Sequence, residues 1–227
     1  MASSKRSHGG TKKPLIPARR GPTPRGVAKP DGGRRDSPPR RNGARPAALP
    51  ALVEPLKYAK SLVRDVPDFP RRGILFRDIT PLLADPRGFH ITLDALAERF
   101  IGAHADAIVA VESRGFIFGG ALAARLNASF VPVRKPGKLP ARTDRVSYAL
   151  EYGEGELEMH QDALRTGDRV IVVDDLLATG GTAEAAGRLV EGQGGNVIAY
   201  AFVIELDFLG GRSRLAPTQV VSLLRYG

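Results

Sequence analysis

Between residue 89 and the C-terminus, short apolar runs alternate with stretches in which apolar residues recur at helical spacing. The runs are rich in β-branched residues and lack strict polar alternation, as in strands covered on both faces: Asp106–Val111, Phe130–Val133, Val170–Val173, Val197–Ile204 and Gln219–Leu224. Helical spacing marks the segments Phe89–His104, Gly115–Leu126 and Thr182–Gly195. Strands that alternate with helices predict an α/β fold, with a mainly parallel twisted sheet flanked by helices.

One long segment departs from this alternation. The 36 residues between Val133 and Val170 are too many for an unstructured connection in a compact domain. Their first half is basic and their second half acidic, and "VSYALEY" and "GELEMH" alternate as hairpin strands do. We predict a flexible loop followed by two antiparallel strands, which together form a lid and hairpin over residues 134–160 beside a binding site.

Charge and composition separate the first 50 residues from the rest. They hold 13 of the 34 Lys and Arg residues but only 2 acidic residues, and 9 of the 18 prolines but no aromatic residue. The formal net charge of +10 therefore comes from this segment. Because such a composition buries too little apolar surface to offset backbone ordering, we predict a disordered basic Pro/Gly-rich tail over residues 1–50 and one folded domain over residues 51–227.

The composition also narrows the location and the chemistry. The chain has no cysteine, which excludes disulfides and thiolate catalysis. No apolar run has the length of about 18 residues that a membrane span needs, and no secretory signal pattern occurs, so we expect a cytoplasmic protein with no membrane partner. The basic tail is expected either to bind nucleic acid or another acidic partner weakly and without specificity, or to be a solvated extension.

The sequence "VIVVDDLLATGGT" joins an apolar strand to two adjacent carboxylates, Asp174 and Asp175. Neighbouring strand residues point to opposite faces, and an unpaired charge is costly in apolar packing. We therefore expect the strand to end at Val173, with both carboxylates in the crevice where parallel sheets bind ligands. A second strand end, "AIVAVESRGF", places Arg114 at the same edge of the sheet.

The loop after the two aspartates has the features of a phosphate site. Gly180 and Gly181 allow backbone N–H groups to approach an anion, hydroxyls come from Thr179 and Thr182, and a helix is expected to begin near Thr182. A ribose 5-phosphate would fit both the aspartate pair and this loop, since its hydroxyls would donate hydrogen bonds to the carboxylates and its phosphate would enter the loop. The Walker A spacing and the dinucleotide-binding glycine pattern are both absent.

Five motifs occur in a characteristic order: "PDFPRRGILFRDITPLL", "ESRGFIFG", "RKPGKLP", "YALEYG" and "VVDDLLATGGT". With their spacing, they resemble the adenine phosphoribosyltransferase family of the type I phosphoribosyltransferases, over about Val63–Tyr226. The resemblance implies that fold and a pentosyltransferase reaction of purine salvage, in which adenine and 5-phosphoribosyl 1-pyrophosphate (PRPP) give AMP and pyrophosphate. It also implies a homodimer, and Mg²⁺ bound mainly through pyrophosphate rather than by protein ligands.

The resemblance also assigns roles to individual residues. Catalysis is expected from Asp174 and Asp175, which would hold the ribose hydroxyls and stabilise positive charge on the sugar, from Arg114 at the departing pyrophosphate, and from Glu151 as proton donor or acceptor at adenine N7. The other substrate-binding positions are expected in the purine pocket (Leu75, Phe76, Arg77), in the basic loop (Arg134, Lys138), at the lid (Tyr152) and around the 5′-phosphate (Ala178, Thr179, Gly180, Gly181, Thr182).

Two alternatives remain open. The PRPP-binding features are common to enzymes that use hypoxanthine, guanine, xanthine or orotate, so the choice of adenine depends on the shorter motifs "GILFRDI" and "SRGF". The other alternative is a regulator that has kept the fold and binds nucleic acid through the tail. His90, His104 and His160 lack a paired acid or the spacing of a catalytic site, and we expect them to be structural.

Overall fold

The computed structural model describes residues 53–149 and 154–227, all of which lie in one compact unit, Pro46–Gly227. The predicted tail, and Glu151 and Tyr152 in the lid, lie outside the described residues. The described helices are α1 (Val53–Ser61), α2 (Thr80–Ala84), α3 (Pro86–Glu98), α4 (Gly115–Leu126), α5 (Gly181–Gly192) and α6 (Gly211–Arg214). The described strands are β1 (Arg64–Pro67), β2 (Leu75–Asp78), β3 (Ala107–Val111), β4 (Ser129–Val133), β5 (Thr143–Ala149), β6 (Glu154–His160), β7 (Arg169–Leu177), β8 (Asn196–Leu206) and β9 (Gln219–Tyr226).

Five of these strands form the central sheet, in the order β4-β3-β7-β8-β9, and every neighbouring pair is parallel. The mainly parallel sheet predicted from the sequence is confirmed. The apolar runs located the strands well, because each run begins within one residue of an observed strand. β3 and β7 lie side by side at the centre of the sheet, so the residues that follow them meet at one edge.

Alternate residues of each central strand pack against different layers. Ile108 and Ile171 belong to a core formed with α1, α3 and α4, whereas Val109 and Val172 belong to a core formed with α5 and β6. All four side chains are fully buried. Burial on both faces explains why the strand sequences lack polar alternation, and it confirms the prediction of a sheet flanked by helices.

Helix α3 ends at Glu98, six residues before the end of the predicted helical segment Phe89–His104. Gly102 and His104 have positive φ angles of 81° and 49°, which a right-handed helix does not allow. Phe100 nevertheless remains buried, with 3% of its surface exposed. The apolar spacing therefore continues beyond the helix into the turn that follows it.

Strand β7 continues past the position at which the sequence predicts its end. β3 pairs with it only as far as Val173, but β8 pairs with it from Arg169 to Leu177. The prediction that the strand ends before Asp174 was therefore wrong. Because β3 stops first, one edge of β7 is open beyond Val173, and Asp174 and Asp175 both reach the crevice from within the strand.

Two antiparallel pairs accompany the central sheet. β5 and β6 form the hairpin predicted for the second half of the long excursion, with Thr143 opposite His160 and Ala149 opposite Glu154. β1 and β2 form a second pair that the sequence pattern did not predict, because both strands have only four residues and few apolar side chains. Within residues 53–149 and 154–227, no helix combines the length and the apolar character needed to cross a membrane.

Candidate active site

A cavity of about 330 Å³ opens at the carboxyl ends of β3 and β7. Its walls come from the junction of β3 with α4, the junction of β7 with α5, and the hairpin, through residues that include Glu112, Arg114, Tyr148, Asp174, Asp175 and Thr182. A smaller adjoining space is formed by Asp174 and the segment 176–183. The structure therefore brings the two predicted strand ends together around one crevice.

Asp174 and Asp175 have different surroundings although they are adjacent in sequence. The side chain of Asp175 is 8% exposed, and its Oδ2 lies 2.6 Å from Nε of Arg114. The backbone N–H of Asp175 donates a hydrogen bond of 2.8 Å to Oδ1 of Asp174. Burial, and then the charge of Asp175, raise the pKa of Asp174 well above its usual value. Arg114 thus balances one carboxylate, while the other binds a proton more readily than an ordinary aspartate.

Gly115 is a site residue whose role the sequence reasoning missed. It is the first residue of α4, and a Cβ at this position would lie 2.9 Å from Oδ1 of Asp174 and 3.0 Å from the carbonyl oxygen of Val173. Only glycine therefore lets α4 begin so close to β7, which places Arg114 beside Asp175. The signal was present in "ESRGF", where a glycine follows the arginine directly.

The predicted phosphate loop joins β7 to α5. Gly180 has a φ of 81° and precedes the first residue of α5, Gly181. A Cβ on Gly180 would lie 2.7 Å from the carbonyl oxygen of Gly211, so this position has neither the conformation nor the space for a side chain. Ala178, Thr179 and the first residues of α5 line the smaller space. Backbone N–H groups at a helix start that faces a cavity are suited to bind an anion.

The basic loop that follows β4 is held by two carboxylates. Glu112, 8% exposed at its side chain, accepts hydrogen bonds from Arg134 Nε at 2.8 Å and from the Lys135 N–H at 2.9 Å. Lys138 Nζ lies 3.6 Å from the same carboxylate. Burial alone would raise the pKa of Glu112, but these hydrogen bonds and cations outweigh it and hold the pKa below its usual value. Arg134 and Lys138 are therefore held beside Glu112, an acid that the sequence reasoning did not assign and that lines the cavity together with Lys135.

Glu158 is the second carboxylate of this loop, and the sequence reasoning also left it unassigned. Its side chain is 1% exposed, and it accepts hydrogen bonds from the N–H groups of Lys138 and Leu139 and from Thr143 Oγ1. Arg145 Nε lies 3.2 Å from Oε2 of Glu158. These contacts lower the pKa of Glu158 although burial acts to raise it. The described part of the predicted flexible loop is thus anchored to β6 at several points.

The predicted purine residues lie on β2. Phe76 packs edge-on against Phe69, with ring centroids 5.1 Å apart, and the guanidinium carbon of Arg114 lies 5.5 Å from the Phe76 ring centroid. Arg77 forms an ion pair with Asp65, and neither Phe76 nor Arg77 is among the residues that line the cavity. Leu75 is 47% exposed. The structure therefore brings Phe76 to Arg114, whereas it gives Arg77 a role in fixing the strand.

The described residues do not form a metal-binding cage of their own. Within residues 53–149 and 154–227, no three His, Cys, Asp or Glu side chains cluster closely enough to hold a metal ion. Of the two adjacent aspartates, Asp175 is already paired with Arg114. A hard cation such as Mg²⁺ prefers six oxygen ligands and keeps several waters, so most of its ligands here would have to come from a phosphorylated substrate and from water.

Comparison with known proteins identifies relatives that match about three quarters of the chain. A model of the phosphoribosyl transferase domain family matches residues 84–219. The adenine phosphoribosyltransferase of Sorangium cellulosum is 70% identical over 169 residues, which cover 74% of this chain and 84% of that protein. The crystal structure of the adenine phosphoribosyltransferase from Thermoanaerobacter pseudethanolicus is 50% identical, with a TM-score of 0.74 over 75% of this chain and 99% of that one. The Saccharomyces cerevisiae enzyme, complexed with an imino-altritol bisphosphate and adenine, is 45% identical, with a TM-score of 0.72 over 75% and 99% of the two chains.

Proposed function

Because the chain belongs to the phosphoribosyltransferase family, we infer that it transfers the phosphoribosyl group of PRPP to a base, and that the base is adenine. The products are AMP and pyrophosphate, and the reaction belongs to purine salvage. The observation that carries the choice of adenine is the 70% identity to an adenine phosphoribosyltransferase over 84% of that protein's length. The cavity at the ends of β3 and β7 is the place for this chemistry.

The ribose would lie against the aspartate pair. In the reaction, the bond from C1 of the ribose to pyrophosphate breaks, and a bond from C1 to N9 of adenine forms. Positive charge builds on the sugar between these two events, and Asp174 and Asp175 would stabilise it while they accept hydrogen bonds from the ribose hydroxyls. The ion pair with Arg114 supports this role, because it holds Asp175 charged and fixed in position.

The 5′-phosphate would occupy the loop of residues 178–182. Its support is the start of α5, where Gly180 and Gly181 line the smaller space together with the hydroxyl-bearing residues Thr179 and Thr182. Asp174 and this loop line the same space, so a single ribose 5-phosphate would reach both of them. Binding at both ends of the sugar would fix C1 for attack.

Pyrophosphate would leave toward the basic side of the cavity. Arg114, Arg134 and Lys138 supply the cations, and bound Mg²⁺ would neutralise further charge on the phosphate oxygens. Glu112 already pairs with Arg134 and Lys138. These two cations would therefore be shared between Glu112 and the pyrophosphate when substrate binds.

Adenine would bind between β2 and the aspartate pair. Phe76 would stack on the purine ring, Leu75 and the backbone at Arg77 would line its edge, and Arg114 lies within 5.5 Å of the Phe76 ring centroid to complete the pocket. Glu151 is proposed as the group that exchanges a proton with N7, with Tyr152 beside it. Both residues lie outside the described part of the chain, between the ends of β5 and β6.

We also propose that the enzyme is a cytoplasmic homodimer and that its basic tail binds acidic partners weakly. Support for the dimer comes from two apolar side chains near the edge strand β4, Ile117 and Phe130, each 40% exposed. Light scattering coupled to size-exclusion chromatography would measure the oligomeric state. The tail proposal depends on its charge and predicts binding to polyanions that weakens as salt increases.

A steady-state assay tests the proposed function. PRPP is supplied with adenine, hypoxanthine, guanine, xanthine or orotate, to the full chain and to a variant that lacks residues 1–50. We expect AMP from adenine, little product from the other bases, and equal rates for the two proteins. Turnover of a 6-oxopurine instead of adenine would overturn the choice of base, and absence of any PRPP-dependent turnover would favour the nucleic-acid-binding alternative.

A further inference from the structure

A turn near the C-terminus, which consists of Gly210 and the short helix α6, packs directly against the phosphate loop. A Cβ on Gly211 would lie 2.2 Å from the carbonyl oxygen of Ala178 and 2.9 Å from the nitrogen of Gly180. Conversely, a Cβ on Gly180 would lie 2.7 Å from the carbonyl oxygen of Gly211. The two backbones are therefore in contact with no side chain between them. Any movement of this turn, residues 210–214, would move the phosphate loop.

Arg212 fixes the turn to the sheet. Its Nε donates to Oε1 of Glu205 at 2.9 Å, and its Nη1 donates to the carbonyl oxygen of Val220 at 2.7 Å. Glu205 is 3% exposed, and its hydrogen bonds from Arg212 and Ser222 hold its pKa below the usual value although burial acts to raise it. The turn is thus attached to β8 and β9, which gives the phosphate loop a rigid support.

Arg214 lies at the other end of the turn, beside the start of α5. Its Nε lies 2.8 Å from Oε2 of Glu184, which is in the first turn of that helix. Its Nη1 lies 3.5 Å from the point that a Cβ of Gly181 would occupy. A carboxylate at a helix start stabilises the helix, but it also opposes binding of a second anion at the same place. Arg214 therefore supplies the positive charge next to a helix start that carries one acid already.

We propose that Arg214 is a positioning residue of the 5′-phosphate site, acting through Glu184 and the phosphate loop. By pairing with Glu184 it cancels the negative charge beside the site, and by its place in the turn it holds the start of α5 in position. The proposal rests on the proposed function, because it requires a phosphate in the loop of residues 178–182. It adds a residue that is more than 30 positions away from that loop in the sequence.

Three variants test the proposal: Arg214→Gln, Arg214→Lys, and the double variant Arg214→Gln with Glu184→Gln. We expect Arg214→Gln to raise the KM for PRPP about two- to fivefold, as is usual for partly exposed charge pairs, with little change in kcat or in the KM for adenine. Arg214→Lys and the double variant are expected to recover most of the loss. The defect should also shrink at high salt, because screening weakens an exposed charge.

Arg125→Gln is the matched control, because Arg125 forms a partly exposed ion pair with Asp94 between α4 and α3. It should leave the KM for PRPP unchanged. If Arg214→Gln behaves like Arg125→Gln, or if the double variant is no better than Arg214→Gln, the proposed charge compensation is wrong. Circular dichroism and thermal unfolding of each variant identify a loss that is due to misfolding alone.

Binding of ribose 5-phosphate separates this proposal from the choice of base. Isothermal titration calorimetry with the full chain measures this ligand without adenine, and Arg214→Gln should weaken its binding by the same two- to fivefold as the KM for PRPP. If the wild-type protein binds ribose 5-phosphate but does not convert adenine, the proposed function is wrong. The role of Arg214 is then still tested by the affinities of the two proteins for ribose 5-phosphate. Equal affinity in wild type and Arg214→Gln would overturn the role of Arg214, whatever the base.

Discussion

At the scale of single residues, Asp174 combines a cost in stability with the catalytic role that we propose for it. Burial and the neighbouring Asp175 raise its pKa, so the folded protein favours the protonated form. Such a group contributes most favourably below its unfolded pKa, and that contribution is lost as the pH rises through the folded pKa. Above that pH, the charged carboxylate of Asp174 therefore destabilises the ligand-free protein.

We expect Asp174→Asn to raise the melting temperature at pH 7 to 8 and to lower kcat by about 100-fold or more, since a transition-state charge is lost. The asparagine oxygen keeps the hydrogen bond from the Asp175 N–H, which isolates the effect of charge. Differential scanning calorimetry between pH 4 and 8 measures the first expectation. A gain in stability that persists unchanged down to pH 4 would contradict the assigned cause.

The pKa of Glu158 is shifted in the opposite direction to that of Asp174. Its folded pKa is lowered, so its stabilising effect is present above the unfolded pKa and is lost as the pH falls through the folded pKa. We expect Glu158→Gln to destabilise the protein by about 1 to 3 kcal/mol at pH 7, because buried donors from Lys138, Leu139 and Thr143 lose a charged acceptor. Urea unfolding at pH 7 and pH 4 checks this, and the difference from wild type should shrink at the lower pH.

The same variant has a functional consequence, because Glu158 holds the backbone of Lys138. The KM for PRPP is expected to rise while the KM for adenine stays close to wild type. Glu156→Gln is the control, since Glu156 lies two residues away on the exposed side of β6. An equal effect of both substitutions would show that charge alone, and not the anchoring of the basic loop, sets PRPP binding.

The sequence could not distinguish Glu158 from its neighbours on β6. Strict alternation in "GELEMH" places Glu156 and Glu158 on one face, opposite Leu157 and Met159. The structure buries Leu157, Glu158 and Met159 together. The backbone of Arg134, just after β4, forms an antiparallel β-bridge with Glu158 at the edge of β6 that does not face β5. A contact between segments distant in sequence decided this burial, and periodicity carries no information about such contacts.

At the scale of elements, the start of α4 depends on a glycine. A Cβ at Gly115 would lie 2.9 Å from Asp174 Oδ1 and 3.0 Å from a backbone carbonyl, which is closer than nearly all real Cβ contacts. We expect Gly115→Ala to cost about 1 to 3 kcal/mol of stability and to reduce kcat, since α4 must move away from β7 and take Arg114 with it. Chemical denaturation and steady-state kinetics measure the two effects.

Gly120→Ala is the matched control on the same helix, because a Cβ there would meet no heavy atom within 4 Å. Alanine has the higher helix propensity, so this change should stabilise the protein by about 0.5 to 1 kcal/mol and leave activity unchanged. A loss of activity in Gly120→Ala as large as that in Gly115→Ala would mean that α4 tolerates no added volume anywhere, and that the contact with Asp174 is not special.

The element scale also shows what the sequence pattern could and could not predict. The five central strands were located within one residue at their starts, because burial on both faces gives a continuous apolar signal. The end of β7 was missed, because pairing with β8 carries the strand on through Asp174 and Asp175 to Leu177 after β3 has stopped. Strand ends depend on the length of the neighbouring strand, which no local pattern records.

At the scale of the whole molecule, the C-terminus is tied to the strand that we assign to adenine. The ring of Tyr226, at the end of β9, contacts two cations: its centroid is 4.2 Å from the guanidinium carbon of Arg77 and 4.4 Å from Nζ of Lys60. Lys60 also donates to the carbonyl oxygen of Arg225 at 2.8 Å. Residues from α1, β2 and the end of the chain thus meet at one ring, and β2 also carries Phe76.

We expect Tyr226→Ala to raise the KM for adenine about two- to tenfold and to leave the KM for PRPP nearly unchanged, because a partly buried cation–π contact is worth about 0.5 to 2 kcal/mol. Loss of the ring removes the contact of Arg77 with the C-terminus and leaves its ion pair with Asp65, which loosens β2 next to Phe76. Tyr226→Phe keeps the ring and should behave as wild type, which assigns the effect to the cation contacts rather than to the hydroxyl. If both KM values rise together in Tyr226→Ala, the end of β9 supports the whole sheet edge, and the specific link from the C-terminus to the purine pocket is wrong.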